Sequence, residues 1–455
     1  MNESKSPGAA AVAVSEASLV RVLGVWGLAA SIVNVTIGGG IFRLPAGAAQ
    51  QLGAAAPLAY VVCAVAMGLI VLCFAEAGSR VAMTGGPYAY VEVAFGPFVG
   101  FLAGVLLWLL GTFALSAVAT VFADAVAALV PALAGAWARK LFLVAVFAVL
   151  SAVNIRGVAQ GTRLNTVATV AKLLPLVLLA VAGAFAVRGE NLAWSHAPAS
   201  GEVARASIFL IFAFCGVESA LVPSGEVREP ARTVPRAILI AMVGVTVMYV
   251  ALHLVAQGTL GAGLAGSATP LADAAGIALG GWGRTLILVG ATVSMFGYVS
   301  GMTLAVPRAL YAFARDGFLP RALATIHPRF HTPHLAIVAQ SAVVCVLAAS
   351  GTFEKLAILA NISTLLLYGA CCVAAWQLRR RGVRTEGATP FRVPAASVVP
   401  WLALLVIGFM LTSIRAGEWL VVLVVLALAG VVFVATRTGR VRALATVGGD
   451  PGVEG

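Results

Sequence analysis

Apolar runs long enough to cross a lipid bilayer recur along the whole chain, and they restrict its fold more than any other feature. A membrane-spanning helix needs about 20 mainly apolar residues. The chain is 61% hydrophobic and only 10% charged, whereas soluble domains carry about 25% charged residues. The sequence therefore predicts an all-α polytopic membrane protein with about twelve transmembrane helices. They are expected to begin near Val22, Pro57, Pro97, Leu141, Leu164, Ser207, Ala237, Thr285, Leu335, Leu356, Val398 and Leu420.

The basic residues fall mostly on one side of such a bundle. If the amino terminus is cytoplasmic, most of the 29 Lys and Arg residues lie in cytoplasmic loops, as the positive-inside tendency requires. We therefore expect a multi-pass protein of the cell membrane with both termini in the cytoplasm, where residues 1–20 and 438–455 form flexible tails. The net charge of +12 then indicates contact with anionic membrane lipid rather than with nucleic acid.

Two predicted helices contain glycine-rich interruptions. The first helix runs into Gly38-Gly39-Gly40, and each glycine costs a helix about 1 kcal/mol relative to alanine. The sixth helix meets Gly216 in the same way. Interrupted helices at matching positions of two halves indicate the binding site of a transporter. The alternative is that these small residues only allow close packing between helices.

The matching positions define two repeats of five helices each. The first repeat covers residues 21–187, and the second covers residues 205–378. An odd number of helices per repeat makes the second repeat inverted in the membrane. The last two predicted helices occupy residues 397–437.

A helix that stops inside the membrane exposes main-chain groups that can bind a ligand. The free amides form a positive pole suited to a carboxylate, and the free carbonyls form a negative pole suited to an ammonium group. The predicted amides belong to Gly39, Gly40 and Ile41, and the predicted carbonyls lie around Thr36, Phe212 and Cys215. Such a site fits the α-carbon of an amino acid.

Few ionisable residues lie inside the predicted helices, and such residues are functional candidates. Lys172 lies near the bilayer midplane and could carry a proton, or it could be a fixed charge that tethers the carbonyls of the first helix. Glu218 follows the second interruption and could titrate during transport or brace the unwound segment. For Glu76 we expect an ion pair, for Asp124 a structural role, and for His253 a buried histidine whose hydrogen bonds are satisfied.

The sequence carries no signature of an enzyme. A Walker phosphate loop, a His-Glu-x-x-His motif and a Gly-x-Ser-x-Gly elbow are all missing from it. We therefore expect no catalytic activity, no cofactor and no metal site. Without an ATP site, transport has to be driven by gradients.

Four segments, in order along the chain, resemble the amino acid–polyamine–organocation superfamily of secondary transporters. They are Gly38-Gly39-Gly40-Ile41-Phe42; Ala75-Glu76-Ala77-Gly78 with Gly85-Gly86-Pro87-Tyr88-Ala89-Tyr90; Phe212 to Ser219 with Glu229-Pro230; and Pro307-Arg308 with Arg315-Asp316-Gly317-Phe318-Leu319-Pro320. The resemblance implies two inverted five-helix repeats plus two further helices, alternating access and amino acid substrates. It assigns the carboxylate to Gly39 and Gly40, and the ammonium to carbonyls of Thr36, Phe212 and Cys215.

Two residues resemble different branches of that superfamily. Glu218 matches a glutamate that is implicated in the pH-linked gating of arginine/agmatine antiporters. Lys172 is similar to the fifth-helix lysine of proton-dependent amino acid permeases, whose ammonium takes the place of a sodium ion. The sequence thus predicts a proton-coupled amino acid permease, with an antiporter of basic amino acids or amines as the alternative. A membrane sensor that binds its ligand without transporting it is a more distant alternative.

Overall fold

The computed structural model describes residues 24–81, 86–156, 162–194, 197–217, 227, 229–383, 390–393 and 395–447, with side chains except at 162–172, 230–231 and 437–447. The described chain is predominantly α-helical. Its α-helices are α1 (Val25–Thr36), α2 (Leu44–Leu52), α3 (Pro57–Arg80), α4 (Pro87–Phe95), α5 (Pro97–Leu129), α6 (Ala136–Ile155), α7 (Thr162–Gly183), α8 (Ser200–Leu210), α9 (Pro230–Leu260), α10 (Pro270–Leu279), α11 (Gly281–Ala305), α12 (Pro307–Arg315), α13 (His334–Ser350), α14 (Phe353–Arg380), α15 (Val399–Leu411) and α16 (Ala416–Val447).

Each predicted span corresponds to a helix or to a pair of helices, so the prediction of an all-α polytopic membrane protein is confirmed. Within the described ranges, seven helices are long and apolar enough to cross a membrane, and shorter apolar helices such as α1, α13 and α15 accompany them. The short helix α10 lies between the seventh and eighth predicted spans and was not expected.

Proline and glycine set many of the helix boundaries. The helices α3, α5 and α9 each begin with a proline, whose fixed φ suits the first turn and whose missing N–H has no partner there in any case. Gly261 ends α9 with φ +54°, a left-handed value that glycine adopts without strain. These boundaries are therefore encoded locally in the sequence.

The centre of the bundle is formed by α5 and α14, which pack against each other. Of their most apolar stretches, 72% and 78% are buried, but the corresponding share of α16 is only 6%. Large apolar side chains also point outwards from other helices, including Trp26, Trp137 and Phe185. An apolar periphery of this extent suits contact with lipid rather than with water.

A buried ion-pair triad joins the end of α3 to the end of α14. The carboxylate of Glu76 is paired with Arg80 at 3.0 Å and with Arg379 at 3.2 Å, and Glu76 is 1% exposed. Arg80 also donates to the carbonyl of Val383, and Arg379 donates to that of Ala396. The triad therefore holds α3, α14 and the segment after α14 together, and the predicted ion pair at Glu76 is confirmed.

Two exposed or partly exposed ion pairs lie at the opposite end of α14. Arg43, just after the first interruption, is 3.5 Å from Glu354 and donates to the carbonyl of Ser267 at 3.0 Å. Asp124, near the end of α5, is paired with Arg139 at 3.0 Å. These contacts fit the structural role that was expected for Asp124.

We predict that Glu76→Gln lowers the free energy of unfolding by about 3 kcal/mol, because it leaves two arginines without their buried counter-charge. Unfolding in detergent, followed by heat or denaturant, measures the change. Glu229→Gln is the matched control, since the Glu229–Arg232 pair is mostly exposed on both sides and should contribute less than about 1 kcal/mol. Equal stability of the two variants would contradict the structural role of the triad.

Candidate substrate site

The first predicted break is present between α1 and α2. Residues 37–39 are not helical, and a 3-10 turn at Gly40–Phe42 follows them. The amide of Ile37 still bonds to the carbonyl of Val33 at 2.9 Å, and the amide of Gly38 bonds to that of Thr36 at 2.8 Å. The regular ladder of α1 therefore ends at this point.

The amides after this point are not bonded back to α1. Residues 37–39 form bends without a helical turn, so the amides of Gly39, Gly40 and Ile41 lose their usual partners at the end of α1. The carbonyls of Gly39 and Gly40 accept from Phe42 and Arg43 at 3.3 and 3.0 Å. The three amides thus begin a new helical segment, where the main-chain dipoles favour an anion.

The second predicted break follows α8. A 3-10 turn covers Ile211–Phe214, Cys215 is extended with ψ 156°, and Gly216 has φ +119°. A side chain is strained at that φ. It would also collide, because a Cβ on Gly216 would lie 3.1 Å from Cγ1 and 3.2 Å from the carbonyl oxygen of Val35. Both the conformation and the space at this position therefore require glycine.

The two breaks lie against each other. Gly216 packs on the main chain of Val35 in α1, and the ring of Phe212 packs on Gly40, where an added Cβ would be 2.9 Å from the ring. Phe212 is 8% exposed and meets Phe353 edge-on, with 5.6 Å between the ring centroids. The structure thus brings the predicted residues Gly40 and Phe212 into contact.

Tyr249 of α9 connects the two breaks. Its hydroxyl oxygen lies 3.0 Å from the carbonyl oxygen of Thr36 and 2.8 Å from that of Ala213. A hydroxyl has a single proton, so it donates to one of these carbonyls at a time. The sequence analysis missed this residue, although a tyrosine hydroxyl inside an apolar span usually has a partner and could have drawn attention to it.

Asn361 of α14 supports the end of α8 and was also missed. It is fully buried, and its side-chain amide donates to the carbonyl of Ile208 at 2.6 Å. The thiol of Cys215 donates to the carbonyl of Ile211 at 3.2 Å and lies 4.0 Å from the Asn361 side-chain oxygen. An asparagine inside an apolar membrane span costs free energy unless it is hydrogen-bonded. The presence of Asn361 in such a span was therefore the sequence signal that could have identified it.

The carbonyl of Thr36 accepts from the amide of Gly38, and it also accepts from Tyr249 when that hydroxyl donates to Thr36 rather than to Ala213. A carbonyl oxygen has two lone pairs. An ammonium group at the Thr36 carbonyl would therefore compete with Tyr249 for the second lone pair, and Tyr249 can donate to Ala213 instead. The hydroxyl of Thr36 is buried and has no partner among the described residues.

The sequence profile of the amino acid permease family matches residues 23–441, which include both breaks. The chain belongs to the amino acid permease family. Its resemblance to the amino acid–polyamine–organocation superfamily is thereby confirmed, and the family is one of transporters.

Curated relatives of this permease are similar to it over nearly their whole length. The branched-chain amino acid permease BcaP of Bacillus subtilis (strain 168) is 27% identical over 432 residues, which cover 90% of this chain and 92% of that protein. The serine/threonine exchanger SteT of the same organism is 28% identical over 397 residues, with 84% and 88% covered. A methylthioribose transporter, also from that organism, is 28% identical over 420 residues, with 89% and 90% covered. The names of these relatives give three different substrates.

The remaining predicted residues of the permease are placed as follows. Ile41 is fully buried. Lys172 lies in α7, but its side chain is outside the described residues, and Glu218 is outside them altogether. The roles of Lys172 and Glu218 in proton coupling therefore stay predictions. In the part of the chain that the structure describes, no group of three or more His, Cys, Asp or Glu side chains could hold a metal ion.

We predict that Tyr249→Phe lowers the transport rate about tenfold while the protein stays folded, because a buried carbonyl left without its donor costs about 1–3 kcal/mol. Initial rates of uptake into proteoliposomes, together with thermal unfolding of the purified variant, provide the measurement. Tyr311→Phe, at a half-buried position of α12, is the control for loss of a phenol elsewhere. A variant that transports at the wild-type rate would show that Tyr249 does not hold the breaks together.

Proposed function

We propose that this permease is a secondary active transporter that moves a neutral amino acid across the cell membrane by alternating access. The observation that carries the proposal is the contact between two helix breaks whose carbonyl ends share the Tyr249 hydroxyl. Membership of the amino acid permease family supports the same conclusion. Both termini would lie in the cytoplasm, with anionic lipid at the cytoplasmic surface.

The proposed binding mode uses the main chain of both breaks. The substrate carboxylate accepts from the amides of Gly39, Gly40 and Ile41, where glycine allows close approach and the helix dipole favours an anion. The substrate ammonium donates to the carbonyls at the ends of the preceding segments, at Thr36, Phe212 and Cys215. Because the Tyr249 hydroxyl contacts the carbonyls of both Thr36 and Ala213, the ammonium would compete with the hydroxyl that joins the two breaks.

The side chains near the breaks favour a neutral substrate. Phe212, Cys215 and Val217 are apolar, and Phe353 lies against Phe212. An aromatic and aliphatic lining accepts an apolar or small side chain without leaving a charge unpaired. Two of the relatives are named for branched-chain amino acids and for serine and threonine, which are neutral as well.

Transport is proposed to be coupled to protons, with Lys172 and Glu218 as the candidates that the sequence supplies. A lysine ammonium inside a span is costly, so a proton could leave it during the cycle. Glu218 lies two residues after Gly216, where a change of charge would act on the second break. No ATP-binding motif supports a different energy source.

Exchange of one amino acid for another is the second candidate, and similarity to a serine/threonine exchanger favours it. An exchanger needs substrate on both sides of the membrane, whereas a proton-coupled permease accumulates substrate in vesicles that start empty. The two modes share the same binding site. They differ in whether the transporter can switch between its outward-facing and inward-facing conformations without a bound substrate.

We expect reconstituted protein to accumulate leucine, serine or threonine in empty vesicles when the outside is more acidic, with no requirement for sodium. Uptake of labelled amino acids, with and without an imposed pH gradient and with sodium or potassium as the cation, provides the test. Uptake that occurs only with substrate inside would establish exchange. Strict dependence on sodium, or transport of arginine and agmatine alone, would contradict the proposal.

A further inference from the structure

A stripe of three polar side chains runs along the buried face of α9. Tyr249, His253 and Gln257 are spaced four residues apart, which places them on one side of the helix, about 6 Å from one to the next. Tyr249 and His253 are fully buried, and Gln257 is 4% exposed. Polar side chains inside a membrane-spanning helix cost free energy, so a repeated pattern of them indicates a functional role.

His253 lacks the partners that a buried histidine is expected to have. Among the described residues, neither of its ring nitrogens has a hydrogen-bond partner, so the described protein groups do not supply the hydrogen bonds that were expected for this buried histidine. Its ring lies 4.9 Å from the ring of Tyr60 in α3, centroid to centroid. The hydroxyl of Tyr60 is also buried and without a partner in the described chain.

A third helix brings another such group to the same region. The hydroxyl of Ser207 in α8 is fully buried and has no partner among the described residues. The carbonyl of the same serine accepts from the thiol of Cys63 at 3.2 Å, and Cys63 lies one turn along α3 from Tyr60. We call His253 and Tyr60, whose rings are in contact, the His253 cluster.

Convergence of unpaired polar groups indicates a shared partner. Nearly all buried polar groups in proteins are bonded to protein or to ordered water, and a buried water typically joins two to four of them. A neutral imidazole offers one donor and one acceptor, whereas a protonated one offers two donors. The hydroxyl of Tyr60 can both donate and accept, so the His253 cluster can satisfy either protonation state of the ring through water.

The stripe connects this cluster to the substrate site on one side and to a loop on the other. One turn towards the breaks, the Tyr249 hydroxyl touches the carbonyls of Thr36 and Ala213. One turn the other way, the side-chain amide of Gln257 donates to the carbonyl of Asn191 at 3.1 Å. Asn191 lies in the segment after α7, on the outer side in the proposed topology.

We propose that His253 binds the proton that drives transport, taking it from water on the outer side along this stripe. Hydronium transfers its proton to the unprotonated ring nitrogen and leaves as water, and the imidazolium later returns the proton to water on the inner side. The inference rests on the proposed proton coupling and assigns the proton to His253 in place of Lys172 and Glu218, the candidates that the sequence alone supplies. His253 lies one turn from Tyr249, whose hydroxyl contacts the carbonyls of Thr36 and Ala213, and carbonyl ends of helices favour a cation.

Other titratable groups lie on α9 and on the helices packed against it. Tyr60 contacts His253 from α3, Cys63 lies one turn along α3 from Tyr60, and Tyr249 lies one turn away on α9. On the neighbouring α10, Asp273 is already bound by Ser267, Thr269 and Arg284. Lys172 belongs to α7, which also packs against α9, so the test has to separate Lys172 from His253.

The test compares accumulation with exchange in proteoliposomes. For one proton per substrate, a gradient of about one pH unit supports about tenfold accumulation. We expect His253→Gln to lose this accumulation and to retain exchange of labelled for unlabelled substrate at equal pH within about twofold of wild type. The matched control is His331→Asn, since His331 is exposed and has φ +53°, which asparagine tolerates.

Several results would overturn the inference. His253→Gln could accumulate substrate like wild type, or Lys172→Ala alone could abolish the response to the gradient. Loss of accumulation and exchange together in folded His253→Gln would indicate a structural role instead. If the wild type itself transports without responding to pH, the proton coupling of the proposed function fails as well, and amino acid transport stands.

Discussion

The structure depends on the main-chain groups that two helices lose where they break inside the membrane. Each unpaired group costs several kcal/mol in lipid, so neighbouring helices or a ligand must satisfy it. On the carbonyl side, Tyr249 and Asn361 supply donors from α9 and α14. On the amide side, Gly39, Gly40 and Ile41 begin a new segment without partners in α1. The positions of α9 and α14 around the breaks follow from this requirement.

In the proposed mechanism, the carbonyl ends of the breaks have side-chain donors whereas the amide ends do not, and this difference links substrate binding to the conformational change. The Tyr249 hydroxyl joins the carbonyl ends of both breaks, and a substrate ammonium would compete for one of those carbonyls. A ligand shifts a conformational equilibrium only by its difference in affinity for the two states. Displacement of Tyr249 supplies such a difference, because it occurs in the bound state alone.

Local sequence signals predicted the fold and the breaks, whereas contacts between distant segments could not be predicted. Long apolar runs predicted the spans, and consecutive glycines predicted the first break. Glycine destabilises a helix through its own backbone, so this signal does not depend on distant contacts. The break predicted at Gly216 is confirmed by the φ of +119° at this glycine and by its close contact with Val35. Tyr249 and Asn361 were missed because their partners Thr36 and Ile208 lie 213 and 153 positions away in the chain. His253 is buried as expected, but the described residues supply no hydrogen bond to its ring, which depends on the neighbours that other helices bring.

Affinity for altered substrates tests recognition by the main chain most directly. A transported amino acid can be compared with its methyl ester and its N-acetyl derivative, which keep the side chain and each lose one charge. Hydrogen bonds to charged groups contribute about 1.5–3 kcal/mol each, so titration calorimetry of the purified permease should show affinity falling about tenfold to a hundredfold for each derivative. Binding of either derivative as tightly as the parent amino acid would contradict the account.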